Sequence, residues 1–337
     1  MSDASERRVE LDHFDMLALG GTFRVCDMNL ILLGSGAPHA VLGSAFSDGA
    51  VFASGRYDFP FRGRFKLPAD WCLIGFVHDT GAGSWCHGMD LTPAMSMTIL
   101  PGGNSEFMLS AGTVWSVVLM PVSRLRRTFA EMTAYTVDLP GHRMMLFNAM
   151  RTASGRRLAK RFDALRTRFI EGKKVPLGNL DRLIRNHILC GLSCARDPHL
   201  RNCSRGRRTH YHVVRKVEDF MFANLRHEIN NRQLCNVACT SERTLRYAFN
   251  DMLGVSPNRY LSLMRLCEAC THLAQADVTR RTVKSVALSC GLWDFSRFAE
   301  NYRRLFGELP NHTLARRDAA DVAVAAMGGV PGGRARR

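Results

Sequence analysis

Two stretches in the last third of the chain carry matching residue types at a constant spacing. The first reads LCNVACTSERTLRYAFNDMLGVSP over residues 234–257, and the second reads VALSCGLWDFSRFAENYRRLFGELP over residues 286–310. Four residues of the first stretch are matched by similar residues 53 positions later: Leu245 by Phe298, Phe249 by Tyr302, Gly254 by Gly307 and Pro257 by Pro310. A constant offset of this kind indicates an internal repeat.

The outward side chains of each copy have the chemistry needed to bind bases and phosphates. Leu245 and Phe249 are four residues apart, so they share one face of a helix and leave the polar residues around them on the other. An arginine on that outer face can bond bidentately to O6 and N7 of guanine. The residues predicted to read bases are Arg243, Arg246 and Tyr247 in the first copy and Ser296, Arg297 and Glu300 in the second. Arg303 and Arg304, near the end of the second helix, are predicted to contact phosphates.

These side chains also have plainer roles that the sequence leaves open. Each arginine is equally well described as a solvated surface charge. Glu300 can accept a hydrogen bond from N4 of cytosine or pair with a neighbouring arginine, and the sequence favours neither.

The elements that must position these residues follow from the same pattern. In each copy a small residue, Cys235 or Ala287, lets a second helix approach, and a short turn follows at Cys239–Ser241 or Gly291–Trp293. Ser241 and Asp294 are suitable N-caps for the two recognition helices. The sequence therefore predicts two helix-turn-helix units, over 231–249 and 283–303.

The segment between the two units is predicted to be one long helix. Ser256 is a suitable N-cap, and Pro257 stands at the first helical position, where its missing N–H costs nothing. Tyr260, Met264 and Cys267 fall on one face of that helix.

Charge is divided unevenly along the chain, whose net charge is +16. Residues 1–150 hold 11 basic and 14 acidic side chains, whereas residues 151–337 hold 35 basic and 16 acidic ones. A basic half beside a slightly acidic half indicates a polyanionic partner for the C-terminal part, most often nucleic acid. An arginine-rich surface without such a partner is the alternative.

The N-terminal region has a different periodicity from the repeat. Short apolar runs broken by glycine and proline predict a β-rich sandwich or small barrel over 10–125. The runs are Met28–Leu33, Trp71–Val77, Ser96–Leu100 and Val114–Met120. Helical spacing over 155–195 then predicts two helices. The fold class is thus α+β with two domains: a β-rich domain with following helices over 1–196, a basic linker over 197–211, an all-α domain over 212–316 and a disordered tail over 317–337.

The region from Val213 to Arg316 resembles the DNA-binding domain of AraC/XylS-type transcription regulators. The resemblance rests on SxxxLxxxF followed by GxSP, on RLxxA at 265–269, and on AxxxGLxDxSxF over 287–298 followed by FGxxP. Cys239 departs from the family pattern, which has glycine at that turn. The resemblance implies sequence-specific binding of double-stranded DNA, contact with RNA polymerase and activation of transcription.

The N-terminal region is similar, more weakly, to the degenerate cupin-like sensor domain that accompanies this DNA-binding domain. That likeness implies control by a small-molecule effector and homodimer contacts through the helices at 155–195. Trp71, Trp85, Trp115, Tyr57 and Phe76 are candidates to line an apolar effector pocket, with a place in the core as the alternative.

Cysteine and histidine residues do not form a convincing metal or catalytic motif. Cys267 and Cys270 form a CxxC inside the predicted long helix, without a second pair at metal-ligand spacing. Cys190, Cys194 and Cys203 near His199 are a weaker candidate for metal binding or oxidant sensing. His87 stands alone, whereas a metal-binding cupin uses an HxH and a later glutamate. We therefore predict no cofactor, no metal site and no enzymatic activity.

Two other functions are alternatives to that of a transcription regulator. A non-specific or architectural DNA-binding protein would share the basic half but show little sequence preference. A DNA-repair alkyltransferase fused to the same domain would need a PCHR-like cysteine motif, which the sequence does not have. The start MSDASERRVE is not a secretory signal, and no apolar run approaches the ~20 residues of a membrane span, so we expect a cytoplasmic protein without a membrane partner.

Overall fold

A computed structural model describes ten parts of the chain: residues 6–11, 26, 28–34, 38–47, 49–102, 104–133, 144–173, 180–195, 205–276 and 281–316. The tail predicted over 317–337 and residues 197–204 of the predicted linker lie outside these described residues. Within them the chain forms a β-rich N-terminal domain with three helices, followed by an all-helical C-terminal domain, as the sequence predicts.

Two antiparallel sheets face each other in the N-terminal domain. In spatial order the larger sheet contains β1 (Glu6–Leu11), β3 (Ala40–Ser47), β4 (Ala50–Tyr57), β11 (Thr113–Pro121), β6 (Trp71–Asp79), β9 (Met95–Ile99) and β12 (Met144–Asn148). The smaller sheet contains β2 (Met28–Leu32), β5 (Phe61–Lys66), β10 (Asn104–Leu109), β7 (Trp85–Cys86) and β8 (Met89–Asp90). The four predicted apolar runs correspond to β2, β6, β9 and β11.

The central strands of the larger sheet, β4, β11 and β6, are buried on both faces, which explains their nearly continuous apolar sequences. On the face toward the smaller sheet, the ring of Tyr57 stacks on Trp115 at 6.0 Å and meets Phe61 at 4.5 Å. On the opposite face, the ring of Phe76 stacks on Phe162 of a covering helix at 5.3 Å. Phe76 therefore belongs to a different cluster from Tyr57 and Trp115 and cannot line a single pocket with them.

Three helices cover that opposite face of the larger sheet: α1 (Val122–Thr133), α2 (Ala153–Ile170) and α3 (Leu180–Ala195). The helical spacing over 155–195 predicts α2 and α3, whereas neither α1 nor strand β12 is predicted. Thr152 caps α2 by accepting a hydrogen bond from the Gly155 N–H at 2.9 Å.

Seven helices of the described residues build the C-terminal domain, the last of them only seven residues long. They are α4 (Arg205–Ala223), α5 (Asn231–Ala238), α6 (Glu242–Leu253), α7 (Pro257–Gln275), α8 (Val283–Ser289), α9 (Phe295–Phe306) and α10 (310–316). The predicted linker over 197–211 is therefore wrong for 205–211, which form the first two turns of α4. Contacts distant in sequence hold these turns, because Tyr211 packs on Trp85 of β7 at 5.7 Å and Arg207 pairs with Asp90 of β8 at 2.9 Å.

The two domains share a continuous core. Helix α7 packs against β2 of the smaller sheet, and its buried positions lie on more than one side: Pro257, Tyr260, Leu261, Leu263, Met264, Leu266, Cys267, Ala269, Cys270 and Leu273. One side is covered by the rest of the C-terminal domain and another by the N-terminal domain. The position of the first helix-turn-helix unit is thus set by the smaller sheet as well as by its own helices.

Candidate nucleic-acid interface

The two recognition helices, α6 and α9, begin and end in the same way. Helix α6 begins where Ser241 Oγ accepts from the Thr244 N–H at 3.2 Å, and α9 begins where Asp294 Oδ1 accepts from the Arg297 N–H at 3.0 Å. Both helices contain 12 residues and end at a glycine with positive φ, Gly254 at 69° and Gly307 at 79°. The predicted N-caps and the 53-residue repeat are confirmed at this level.

The turn of each unit closes through an equivalent hydrogen bond. The Thr240 N–H donates to Cys235 O at 3.1 Å, and the Leu292 N–H donates to Ala287 O at 3.0 Å. The residue before each donor is left-handed: Cys239 has φ 52° and Gly291 has φ 72°. Cysteine at 239 therefore keeps the backbone of a glycine turn, in a region where a side chain is disfavoured.

The inward residues of both units lie where the repeat predicts them. Leu245, Phe249, Phe298 and Tyr302 are all buried. Tyr302 differs from its counterpart Phe249 by a hydroxyl, which hydrogen-bonds Thr313 Oγ1 at 2.8 Å.

Helix α6 presents its predicted base-reading residues to solvent. Arg243, Arg246 and Tyr247 are exposed, and 53% of the Tyr247 side chain is accessible. Arg243 Nη2 donates to the Tyr247 hydroxyl at 3.3 Å, and its guanidinium lies 5.4 Å from the centre of the Tyr247 ring. The two residues thus form one pre-organised group on the outer face.

A cleft runs between that face of α6 and the first turns of α4. Its volume is about 820 Å³, and it is lined by Gly206, Arg207, His210, Thr244, Tyr247, Asn250 and Asp251. Residues predicted to be linker therefore flank the first recognition helix. The basic composition of 197–211 is the signal that indicated them, although the lack of helical periodicity hid the helix.

Helix α9 presents a different outer face. Ser296, Arg297 and Arg303 are exposed. Glu300 and Arg304 are exposed as well, and they pair with each other at 2.6 Å. Of the two roles left open for Glu300, the structure therefore shows the pairing with a neighbouring arginine.

Two residues of α9 beside the predicted base-reading positions are only partly accessible to solvent. Phe295 is half-buried against the core, with Lys284 Nζ 5.3 Å from its ring centre, and Ala299 is half-buried as well.

Trp293, which precedes the N-cap of α9, is not among the predicted site residues. Its side chain is 64% accessible, an unusual exposure for tryptophan. Its place in the predicted turn, one residue before Asp294, was the available signal.

The cysteines of the CxxC are both buried within the core of α7. Burial raises the pKa of the Cys267 thiol well above its usual range. Within the described residues, no three histidine, cysteine, aspartate or glutamate side chains gather as metal ligands would. Cys190 and Cys194 are buried, and Cys203 and His199 lie outside the described part of the chain.

A serine, a histidine and an aspartate meet in the N-terminal domain. His78 lies 2.8 Å from Asp163 Oδ1 through Nδ1 and 2.8 Å from Ser116 Oγ through Nε2. This resembles a nucleophile with its base, but Ser116 is fully buried and its hydroxyl donates to Ser54 Oγ at 3.0 Å. The arrangement links a strand to helix α2 and presents no nucleophile to a substrate.

Comparison with known proteins identifies the C-terminal helices. A family model described as a helix-turn-helix domain matches residues 234–316. The chain is 36% identical over 102 residues to XylDLEGF operon transcriptional activator 1 of Pseudomonas putida, which is 30% of this chain and 31% of that protein. It is 31% identical over 87 residues to the HTH-type transcriptional activator RhaS of Pectobacterium carotovorum, which is 26% of this chain and 30% of that protein.

A solved structure of a probable AraC family transcriptional regulator from Rhodopseudomonas palustris is 35% identical to the chain. The match covers 31% of this chain and 95% of that one, with a TM-score of 0.29. The chain thus spans less than a third of the length of the first two relatives named above.

Proposed function

The C-terminal domain of this chain belongs to the AraC/XylS-type family of transcription regulators, and from this premise we propose that the protein is a sequence-specific DNA-binding regulator of transcription. One observation carries the proposal. Two helices of 12 residues, each with a side-chain N-cap and a glycine C-cap, bury a pair of residues at repeated positions and expose the polar residues beside that pair. None of the helices that the structure describes has an apolar stretch long enough to cross a membrane.

We propose that the two recognition helices enter successive major grooves on one face of the DNA. Such grooves are about one helical turn apart, ~34 Å or ~10 base pairs. Arg243, Arg246 and Tyr247 would read one half of the site, and Ser296 and Arg297 the other. Glu300 would read a base only after leaving Arg304. Arg303 and Arg304, near the end of α9, would contact phosphates.

We further propose that the protein activates transcription by contact with RNA polymerase and that a signal at the N-terminal domain controls it. The names of its relatives, which are transcriptional activators, support the sign of regulation. The shared core between the β-sandwich and helix α7 supports a mechanical connection between signal and DNA binding. A small-molecule effector and a homodimer formed through α2 and α3 complete the proposal.

Binding to a library of randomised duplexes at two salt concentrations tests the DNA-binding function. The wild-type chain is expected to select one bipartite sequence. Arg243→Ala should weaken binding by ~1–3 kcal/mol and relax preference at one position in one half-site. Ser296→Ala and Arg297→Ala should act on the other half-site. Arg304→Ala should weaken all sequences about equally and lower the salt dependence by ~1 phosphate contact.

Two results would contradict this arrangement. If Arg243→Ala and Arg304→Ala caused the same sequence-independent loss, the division into base and phosphate contacts would be wrong. If the wild-type chain selected no sequence at all, the alternative of a non-specific architectural DNA-binding protein would be favoured instead.

A further inference from the structure

A cluster of charged side chains lies completely buried where the two domains meet. Arg62 of strand β5 and Glu106 of strand β10 come from the smaller sheet, and Glu218 comes from helix α4 of the C-terminal domain. None of the three side chains is more than 1% accessible. Burial of a charge is costly unless it is paired, so these contacts must satisfy one another.

Arg62 uses all five of its N–H donors. Its Nε and Nη2 bind Glu218 in a bidentate pair at 3.1 and 2.8 Å, and Nη2 also binds Glu106. Its Nη1 donates to the carbonyl oxygens of Gly63 at 3.0 Å and Phe107 at 3.2 Å. The guanidinium is therefore fixed in one position by both domains.

The two carboxylates have further partners on the C-terminal side. The Tyr260 hydroxyl of helix α7 donates to Glu218, and the Tyr211 hydroxyl of α4 donates to Glu106 at 2.5 Å. The neighbouring charges hold the pKa of Glu106 below its usual range against the opposing effect of burial.

A hairpin beside the cluster reaches the end of the first recognition helix. The Trp85 indole N–H of strand β7 donates to Met252 O of α6 at 2.7 Å, and the Trp85 ring lies 4.8 Å from the Arg62 guanidinium. Asp90 of β8 pairs with Arg207, which lines the cleft beside α6. The N-terminal domain thus contacts the edge of the proposed DNA-binding surface.

The two domains also share an apolar core, and the charged cluster is the part of their contact that costs least to separate. A buried ion pair adds little net stability compared with apolar packing, because its attraction largely offsets the cost of desolvation, but it defines one geometry. On separation each side would keep a partner from its own domain: Arg62 keeps Glu106, and Glu218 keeps Tyr260. Neither domain would then be left with an isolated buried charge.

We propose that the Arg62–Glu106–Glu218 cluster is a reversible latch that docks the first helix-turn-helix unit on the N-terminal domain, and that opening it raises the affinity for DNA. This rests on the proposed function, because it names the regulation of the same DNA-binding surface. In the docked state the Asp90 carboxylate lies beside the cleft of α6 and pairs with Arg207. Undocking removes this negative charge and leaves Arg207 paired within its own domain, with Asp251 at 3.6 Å, where its guanidinium can also approach phosphates.

Glu218→Gln in the full chain tests the latch with little change in shape. Hydrogen exchange should become faster in peptides from β5 and α4, while the secondary structure measured by circular dichroism stays unchanged. Affinity for the duplex selected from the random library should rise by about fivefold or more, the lower range of typical allosteric coupling. Trp85→Phe removes the bond to Met252 without touching any charge, so it should change both readouts in the same direction even if Glu218→Gln fails to fold.

Glu131→Gln is the matched control. It removes an Arg185 partner at 2.8 Å within the N-terminal domain, where both side chains are about half exposed, and should change neither readout. If β5 and α4 exchanged hydrogen at the wild-type rate in both latch variants, the proposal would be overturned. So would faster exchange with unchanged or weaker DNA binding. If no form of the protein bound any duplex, the proposed function would fail, while the exchange rates would still decide whether the domains separate at this cluster.

Discussion

The two helix-turn-helix units share their backbone but not their surroundings. The first lies between helix α4 and the smaller sheet: Trp85 binds the end of its recognition helix, and Glu218 of α4, a helix that packs on this unit, binds Arg62. In the second, helices α8 and α9 pack on α7 and on each other. In the proposed regulation, a signal at the N-terminal domain would act directly on the first unit and would reach the second through α7.

Their outer faces differ in charge as well. Arg243 on the first unit stacks on Tyr247, whereas Arg304 on the second is neutralised by Glu300. The two units thus have similar backbones, but the side chains between the repeated positions give their outer faces different contacts and charges. Variants at equivalent positions of the two units test this comparison.

The largest difference is expected at the turn of the second unit. In Gly291→Ala, the new Cβ would lie 2.7 Å from Leu225 O, on a residue whose φ is 72°. The left-handed backbone and the close contact together should lower the free energy of unfolding by about 3 kcal/mol. Denaturant unfolding measures this loss.

Gly254→Ala is the control, because its φ is also left-handed, at 69°, but nothing lies within 4 Å of the new Cβ. It should cost only about 1 kcal/mol. If both variants lost the same free energy of unfolding, the close contact with Leu225 O would add nothing to the cost at position 291.

The hydroxyl of Tyr302 should account for a stability difference between the buried helix positions of the two units. Tyr302→Phe converts the second unit to the residue type of the first and removes the hydrogen bond with Thr313. The free energy of unfolding should fall by about 1 kcal/mol, the usual net value of one hydrogen bond. Thr313→Ala in the Tyr302→Phe background should then cost clearly less than it does in the wild type, and additive losses would disprove the coupling.

The turn of the first unit should become more stable with the residue of the second. Cys239→Gly relieves a left-handed cysteine at φ 52°. Because glycine also gains more entropy on unfolding, the net stabilisation should be about 0.5–1 kcal/mol. A rise in the thermal midpoint with unchanged DNA affinity would support this reading, and a fall would show that the thiol makes a stabilising contact.

The smallest effect on stability is expected at the ion pair of α9. Glu300→Gln should change the free energy of unfolding by less than about 0.5 kcal/mol, since exposed pairs four residues apart contribute little. It removes a carboxylate that competes with phosphates for Arg304, however, so the affinity for all duplexes should rise about equally. An unchanged affinity would indicate that Arg304 does not contact the phosphates.

Much of the C-terminal domain was predictable because its signals are local and repeated. The caps at Ser241 and Asp294 and the inward residues Phe249 and Tyr302 each depend on neighbours within one or two helical turns. In the N-terminal domain, the apolar runs predicted four strands. Helix α1 carries a helical signal in Val122, Leu125, Phe129 and Met132 that the prediction did not include. Strand β12 is the short apolar run MMLFN, in which periodicity cannot distinguish a strand from a buried helix.

The sequence by itself determined the two units, the faces of their helices and the uneven charge of the two halves. Only the tertiary structure decided that residues 205–211 are helical, that Phe76 lies apart from Tyr57, and that Arg62 meets Glu218, 156 residues away. The physical reason is the range of the interactions. Helix caps and periodicity act between near neighbours, whereas a buried ion pair of this kind forms only when folding brings distant side chains into the same dry interface.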